Sequence, residues 1–358
     1  MSDYIELDFH AVETNKSGDA IALRYSLNGQ QRVHVVDGGY LETGDDLAAH
    51  IKKFYGVSYI DHVILTHTDR DHVNGLRKIL EHFTVGTLWM NRPWIYAAEL
   101  IQRFENYNSV DRLESKLRSL YSAATELEDL AIEKGIPIGV PLQGTVIGAF
   151  TVLAPSKARY LDLIATSERT PALVPESAAN TLYGLIADSV RAAVNLVKAA
   201  WGAEFFPASG TSEENEMSVI QYAEIVQSRI LLTGDTGRDG LSEAADYLTA
   251  RGIGLPGLAL FQVPHHGGRH NVSSATLDRW LGPKLMQLPE NTNFSAVCSS
   301  AKADEHHPKK SVIRAILHRG GHFSATEGRT LHWSRGISRE GWSSVPQHEY
   351  PDSQEEHE

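Results

Sequence analysis

Four side chains able to ligate a metal fall within six residues: His67, Asp69, Asp71 and His72, in the run His67-Thr68-Asp69-Arg70-Asp71-His72. The run follows a short apolar stretch at 62–65 (HVIL) that reads as a buried strand, and it precedes a helical pattern over 71–83. No single helix face or strand face can present all four. They converge only if the segment is a loop wrapped around something. Imidazole with carboxylate suits a divalent ion such as Zn²⁺ or Mn²⁺, and the density of ligands points to two ions. A solvated polar turn, with an Asp capping the next helix, is the plainer alternative for any one of these residues taken alone.

Composition narrows the chemistry. Of 358 residues 17 are histidine and one, Cys298, is cysteine, so a metal site must use His, Asp and Asn, and no internal disulfide framework exists. Cys298 lies in a strand-like run, SAVCSS, which does not suit a nucleophile. There is no phosphate-binding G-x-x-x-x-G-K-[ST] loop and no G-x-S-x-G elbow. The net charge of −12 argues against a protein that coats duplex DNA, although a small basic cleft remains compatible with it. No apolar run approaches the roughly 18–20 residues that cross a bilayer. The start, MSDYIELDFHAVE, lacks a basic region followed by an apolar one, so the expected compartment is the cytoplasm, with no membrane partner.

Read along the chain, strands are expected at 4–12, 18–27, 31–37, 62–65 and 85–90, with an Asn28-Gly29 hairpin turn and helices at 43–55 and 71–83. Residues 95–134 read as wholly helical. Leu113, Leu117, Leu120, Ala124, Leu127 and Ala131 recur at spacings of four and three, a seam for packing on the domain or on a second subunit. A strand at 145–154 precedes a helix-rich stretch, 156–200, patterned in Ala, Leu and Val around 178–200, and then a polar linker at 207–215. Strands at 217–225, 228–232, 258–263 and 294–298, helices at 239–251 and 308–319, and a hairpin over 322–333 complete the pattern. Strands and helices in two batches predict an α/β fold of two facing sheets with helices outside, a four-layer αββα sandwich over 1–335. Helical insertions are expected at 95–134 and 156–207, and 336–358 is expected to be an acidic, flexible tail.

The ligand loop resembles the H-x-H-x-D-H loop of the metallo-β-lactamase fold superfamily, with Asp69 where the second His stands. That H-x-D-x-D-H form is similar to the competence-type, ComEC-like branch. Other segments resemble the same branch in the same order: Gly18-Asp19-Ala20-Ile21, Asp37-Gly38-Gly39, Asn215-Glu216-Met217-Ser218, Thr233-Gly234-Asp235, Pro264-His265-His266-Gly267 and His307-Pro308. The resemblance implies that His67 and Asp69 hold one ion, that Asp71 and His72 face the other, that Asp235 bridges both and that His265 completes the second site. Asn215 falls near the position of a further His in the wider superfamily, and an amide there suits Mn²⁺ better than Zn²⁺. His266 reads as a turn or orienting residue more than a ligand. Asp37 is either an orienting hydrogen-bond partner or a turn residue. His307 is a general acid or substrate clamp, or else a helix cap. Lys309 and Lys310, with Arg314, Arg319 and His306, form either a solvated basic face or a rim that contacts phosphate.

The resemblance implies a hydrolase in which a hydroxide bridging two divalent ions, Zn or Mn, attacks phosphorus in a nucleic acid or nucleotide, with Asp71 and His307 catalytic. Two other readings stand beside it. One is a small-ester, thioester or lactam hydrolase of the same fold. The other is a metal-poor scaffold that joins a partner, or a second copy of itself, through the 95–134 helices.

Overall fold

Alternation along the strands sorts the apolar side chains into three layers. The computed structural model describes residues 2–12, 14–104, 106–170 and 196–355. In the first sheet, β1 (Tyr4–Phe9), β2 (Ala20–Leu27) and β3 (Gln30–Gly38) are antiparallel, and β4 (Tyr59–Ile64), β5 (Thr84–Trp89) and β6 (Ile138–Gly139) extend it in parallel. The second sheet begins with β7 (Val146–Ile147) and β8 (Phe150–Ala154). After the short, separate β9 (Leu196–Lys198) it continues through β10 (Ile220–Ile225), β11 (Ser228–Leu232), β12 (Leu260–Gln262), β13 (Phe294–Cys298) and β14 (Gly321–Ala325). β15 (Leu331–Arg335) then returns to the first sheet and pairs antiparallel with β1. The expected hairpin over 322–333 is therefore absent, since its two strands lie in different sheets.

Side chains of β2 show how the layers arise. Ile21, Leu23 and Tyr25 point between the sheets, where they meet Phe150, Val152, Ile230, Leu232 and Leu260. Ala20 and Ala22 point outward and lie under helix α1 (Leu41–Phe54) and helix α2 (Arg70–His82). On the far side, Leu231 and Phe261 pack with Leu241, Leu277 and Ile316 from the three helices Arg238–Thr249, Ser274–Leu281 and Lys310–His318. Sheets buried on both faces and covered by helices make the four-layer αββα sandwich.

The 95–134 region is helical but broken, with short turns before helices Val110–Leu120 and Ser122–Glu133. Its seam of Leu113, Leu117, Ala124, Leu127 and Ala131 is fully buried in the same core as α2, so that face is spent within the chain. Helix Lys157–Thr166 opens the second insertion. The patterning around 178–200 falls mostly outside the described residues, and 196–198 form a strand.

The 336–355 segment is packed, contrary to the flexible tail expected from its composition. β16 (Ser353–Glu355) pairs antiparallel with β9. The Glu355 carboxylate accepts the Lys310 and Ser311 backbone N–H groups, both at 2.9 Å, and so caps helix Lys310–His318, which has no capping side chain of its own. Arg339 clamps the buried Asp8 and Glu6.

Candidate metal centre

The ligand loop leaves the carboxyl end of β4 and enters α2, so Asp71 and His72 sit in the first helical turn. Close backbone packing fixes that helix. Gly75 N–H donates to Gly39 O at 2.9 Å, and a Cβ at Gly75 would lie 1.8 Å from Gly38 O. Only hydrogen fits where helix and turn touch. Gly39 N–H donates to Asp19 O and Asp19 N–H to Asp71 O, which ties the Gly18-Asp19-Ala20 segment to the same helix.

Three imidazoles are held in one tautomer by what their Nδ1 touches. His72 Nδ1 donates to Asp37 Oδ2 at 2.7 Å. Thr66 Oγ1 donates to the same oxygen at 2.6 Å and accepts from His67 Nδ1 at 3.2 Å. His266 Nδ1 donates to Ser299 O at 2.9 Å. With Nδ1–H committed, each neutral ring presents a bare Nε2 lone pair. Those atoms face carboxylates: His72 Nε2 lies 3.3 Å from Asp235 Oδ2 and 3.6 Å from Asp71 Oδ2, and His266 Nε2 lies 3.3 Å from Asp71 Oδ2 and 3.7 Å from Asp235 Oδ2. His67 Nε2 is 3.8 Å from Asp69 Oδ2 and 3.9 Å from Asp235 Oδ2.

These residues fit a metal. Asp71, His72, Asp235 and His266 each bring a ligand atom within 4.8 Å of the others. Nε2 of His67, Nε2 of His72 and Oδ1 of Asp235 are buried without a hydrogen-bond partner among the described residues. Buried polar atoms left unpaired are costly, and cations bound at this cluster would satisfy them. Without an ion the cluster draws in protons instead. Burial alone would lower the His266 pKa, but Asp235, Asp71 and Asp19 override it and push it up to about 9. Burial likewise disfavours charge on Asp235, yet His72, His265 and His266 hold its carboxyl well below the usual range.

Each residue singled out in the sequence finds a place. His67, Asp69, Asp71, His72 and Asp235 converge. His265 and His266 stand in exchanged positions: His265 Nδ1 sits on Asp235 Oδ2 at 2.6 Å, half-exposed, while His266 points Nε2 into the cluster. The backbone explains this. His265, His266 and Gly267 run consecutively in the left-handed region (φ 49°, 55° and 85°), which swings the second ring inward. Asn215 donates Nδ2–H to Thr211 Oγ1 at 2.6 Å and lies 3.4 Å from His265 Nδ1. Asp37 orients two imidazole systems as just described.

His307 stacks edge-on to His265 with ring centroids 5.7 Å apart and meets Asp304 Oδ2 through Nδ1 at 3.1 Å. Lys309 is joined to the His-His turn through its backbone N–H on Gly267 O, at 3.0 Å. Lys310 points its ammonium at Ser353 in the C-terminal segment, 3.4 Å away. The basic rim is not formed as a face. Arg314 is buried on the carbonyls of Pro351, Ala199 and Ala200, and Arg319 is buried on Glu204 and Asp278.

Sequence reasoning did not single out three neighbours. Thr66 carries the hydrogen-bond chain to His67. Gln262 accepts the Thr233 N–H (2.8 Å) through Oε1 and donates to Asp19 Oδ2 (3.0 Å) through Nε2, joining the two sheets beneath the cluster. Arg169, from the second insertion, pairs with Asp69 Oδ1 at 2.7 Å. Only Thr66, beside the loop, carried a signal in the sequence.

Two facing sheets carry an imidazole–carboxylate cluster at their strand ends, a candidate metal site on an α/β sandwich. Residues 19–145 match the model of the metallo-beta-lactamase superfamily. Among solved structures it is similar to YhfI, a metallo-beta-lactamase fold protein from Bacillus subtilis, at 10% identity over 93% of this chain and 100% of that one (TM-score 0.42). It is similar to a diphosphatase of the PhnP family at 10% identity over 92% and 98% (TM-score 0.38). It is similar to the hydrolase AbOPH of the beta lactamase superfamily at 12% identity (TM-score 0.31), over 61% of this chain and 56% of AbOPH, little more than half the length of that relative. No curated protein matches the sequence. No described helix is long and apolar enough to cross a membrane.

Proposed function

We propose that this chain is a metal-dependent hydrolase of the competence-type branch, and that it cleaves phosphodiester bonds in a nucleic acid or nucleotide. The observation that carries the reading is the set of bare Nε2 atoms of His67, His72 and His266, aimed among Asp69, Asp71 and Asp235. Asp71, His72, Asp235 and His266 are assigned as ligands of one divalent ion, Zn or Mn, and His67 with Asp69 and a share of Asp235 as the second position. An ion bound there supplies Lewis acidity and acidifies water, which suits attack on a phosphoryl group. Three carboxylates among the donors favour a hard ion and an oxygen-rich substrate.

The chain's own residues supply the rest. Asp37 keeps His67 and His72 in the tautomer that offers Nε2. His265 holds Asp235 in place through its Nδ1. His307 keeps Nδ1 on Asp304, which leaves Nε2 to pass a proton to a leaving oxygen. Burial, with His265 and His266 nearby, lowers its pKa and makes the protonated ring a readier donor, although Asp304 works against this.

The test is a panel of single-stranded DNA, RNA and cyclic dinucleotides offered to metal-stripped protein with added Mn²⁺ or Zn²⁺. Cleavage that depends on metal and falls at least about 100-fold in His72→Ala is expected. Turnover of thioesters or lactams with phosphodiesters untouched would overturn the substrate class. Equal activity in the variant would overturn the site.

A further inference from the structure

The two metal positions are not equivalent in this chain, and the difference comes from the second insertion. At the first position His67 Nε2 and Asp69 Oδ2 are 3.8 Å apart, and among the described residues no imidazole other than that of His67 pairs with this Asp69. Asn215, near the position that the resemblance gives to a further His, turns its NH₂ toward Thr211 and His265. The shared Asp235 Oδ2 is already approached by His72, His265 and His266. The other oxygen of Asp69 lies in an ion pair with the Arg169 guanidinium at 2.7 Å, outside hydrogen-bond geometry, with the buried Glu214 3.9 Å from Arg169 Nε.

Arg169 is held in a structured turn. Its backbone N–H donates to Ser167 Oγ at 3.0 Å, Ser167 Oγ donates to Glu214, and Thr170 Oγ1 closes the turn on Ile164 O at 2.6 Å. Charge points the same way. Asp69, Asp71 and Asp235 carry three negative charges. The Arg169 guanidinium is already a resident cation on Asp69, so a divalent ion entering beside His67 and Asp69 meets its charge at close range. Like charges this close in a low-dielectric pocket repel strongly.

We propose that the Arg169 guanidinium takes the place of the second cation, so that the chain holds one divalent ion tightly at Asp71, His72, Asp235 and His266 and a second only weakly at His67 and Asp69. This rests on reading the cluster as a metal centre, and it makes the insertion a determinant of metal stoichiometry.

The experiment needs no substrate. Mn²⁺ is titrated calorimetrically into the metal-stripped full chain, with low-temperature electron paramagnetic resonance on the same samples. Wild type is expected to take up one tight ion with the signal of isolated Mn²⁺. Arg169→Gln is expected to bind the second ion at least about tenfold more tightly and to show a spin-coupled pair. Arg169→Lys, which keeps the charge, is expected to stay at one tight ion and guards against a merely structural effect. Two ions of comparable affinity in wild type, or an unchanged second affinity in Arg169→Gln, would overturn the proposal. No binding at all in wild type would instead overturn the metal centre itself, an outcome distinct from either.

Discussion

At the scale of single residues, orientation matters as much as identity. Asp37 touches no ligand lone pair, yet it sets which nitrogen of His72 bears the proton and, through Thr66, does the same for His67. Asp37→Ala should therefore weaken Mn²⁺ or Zn²⁺ binding roughly 10- to 100-fold with the ligands intact, measured by calorimetry. Unchanged affinity would show that the rings hold themselves. Much of this clustering was legible beforehand, because four potential ligands in six residues fit few alternatives. The ordering of His265 and His266 was not. Adjacent identical residues differ only in backbone angle, and two successive left-handed residues leave no mark in composition. Arg169 was hidden for another reason, since a lone arginine in an insertion reads as solvated surface until its carboxylate partner is known.

At the scale of elements, the leucine seam over 113–131 was readable because helical periodicity survives any tertiary context. The C-terminal segment was not, because Arg339, Gln354 and Glu355 find their partners far away in sequence. Glu355 shows this best: an exposed-looking acid in a run of acids caps a helix that starts 45 residues earlier. Glu355→Ala should cost about 1 kcal/mol of stability, read from denaturant unfolding, with little change in metal binding. A stability equal to wild type would mean that water replaces the cap without loss.

At the scale of the whole molecule, the two batches of strands and helices forecast the sandwich, but the crossing of β15 back to the first sheet did not show. A five-residue strand carries no label for its sheet. Buried charge in the second half gives the molecule an acid limit. Burial works against an ionised Glu204, but hydrogen bonds from His318 and Arg319 prevail and bring its pKa to about 2 from an ordinary 4.5. A carboxylate lowered on folding adds stability that is complete above pH 4.5 and is lost as pH falls toward 2. Glu204→Gln should be destabilised by about 3 kcal/mol at neutral pH, and denaturant melts should show the gap to wild type closing between pH 4.5 and 2. A gap that stays constant would remove Glu204 from the acid limit. The contact between Gly75 and Gly38 has a different reach. Gly75 lies one helical turn beyond Asp71 and His72 and has no side chain to offer, yet any side chain there pushes α2, and His72 with it, off the strand turn. The history of substitutions this protein can accept is therefore narrowed at positions that never meet a substrate, and a map of its mutational tolerance would draw the site larger than its reaction.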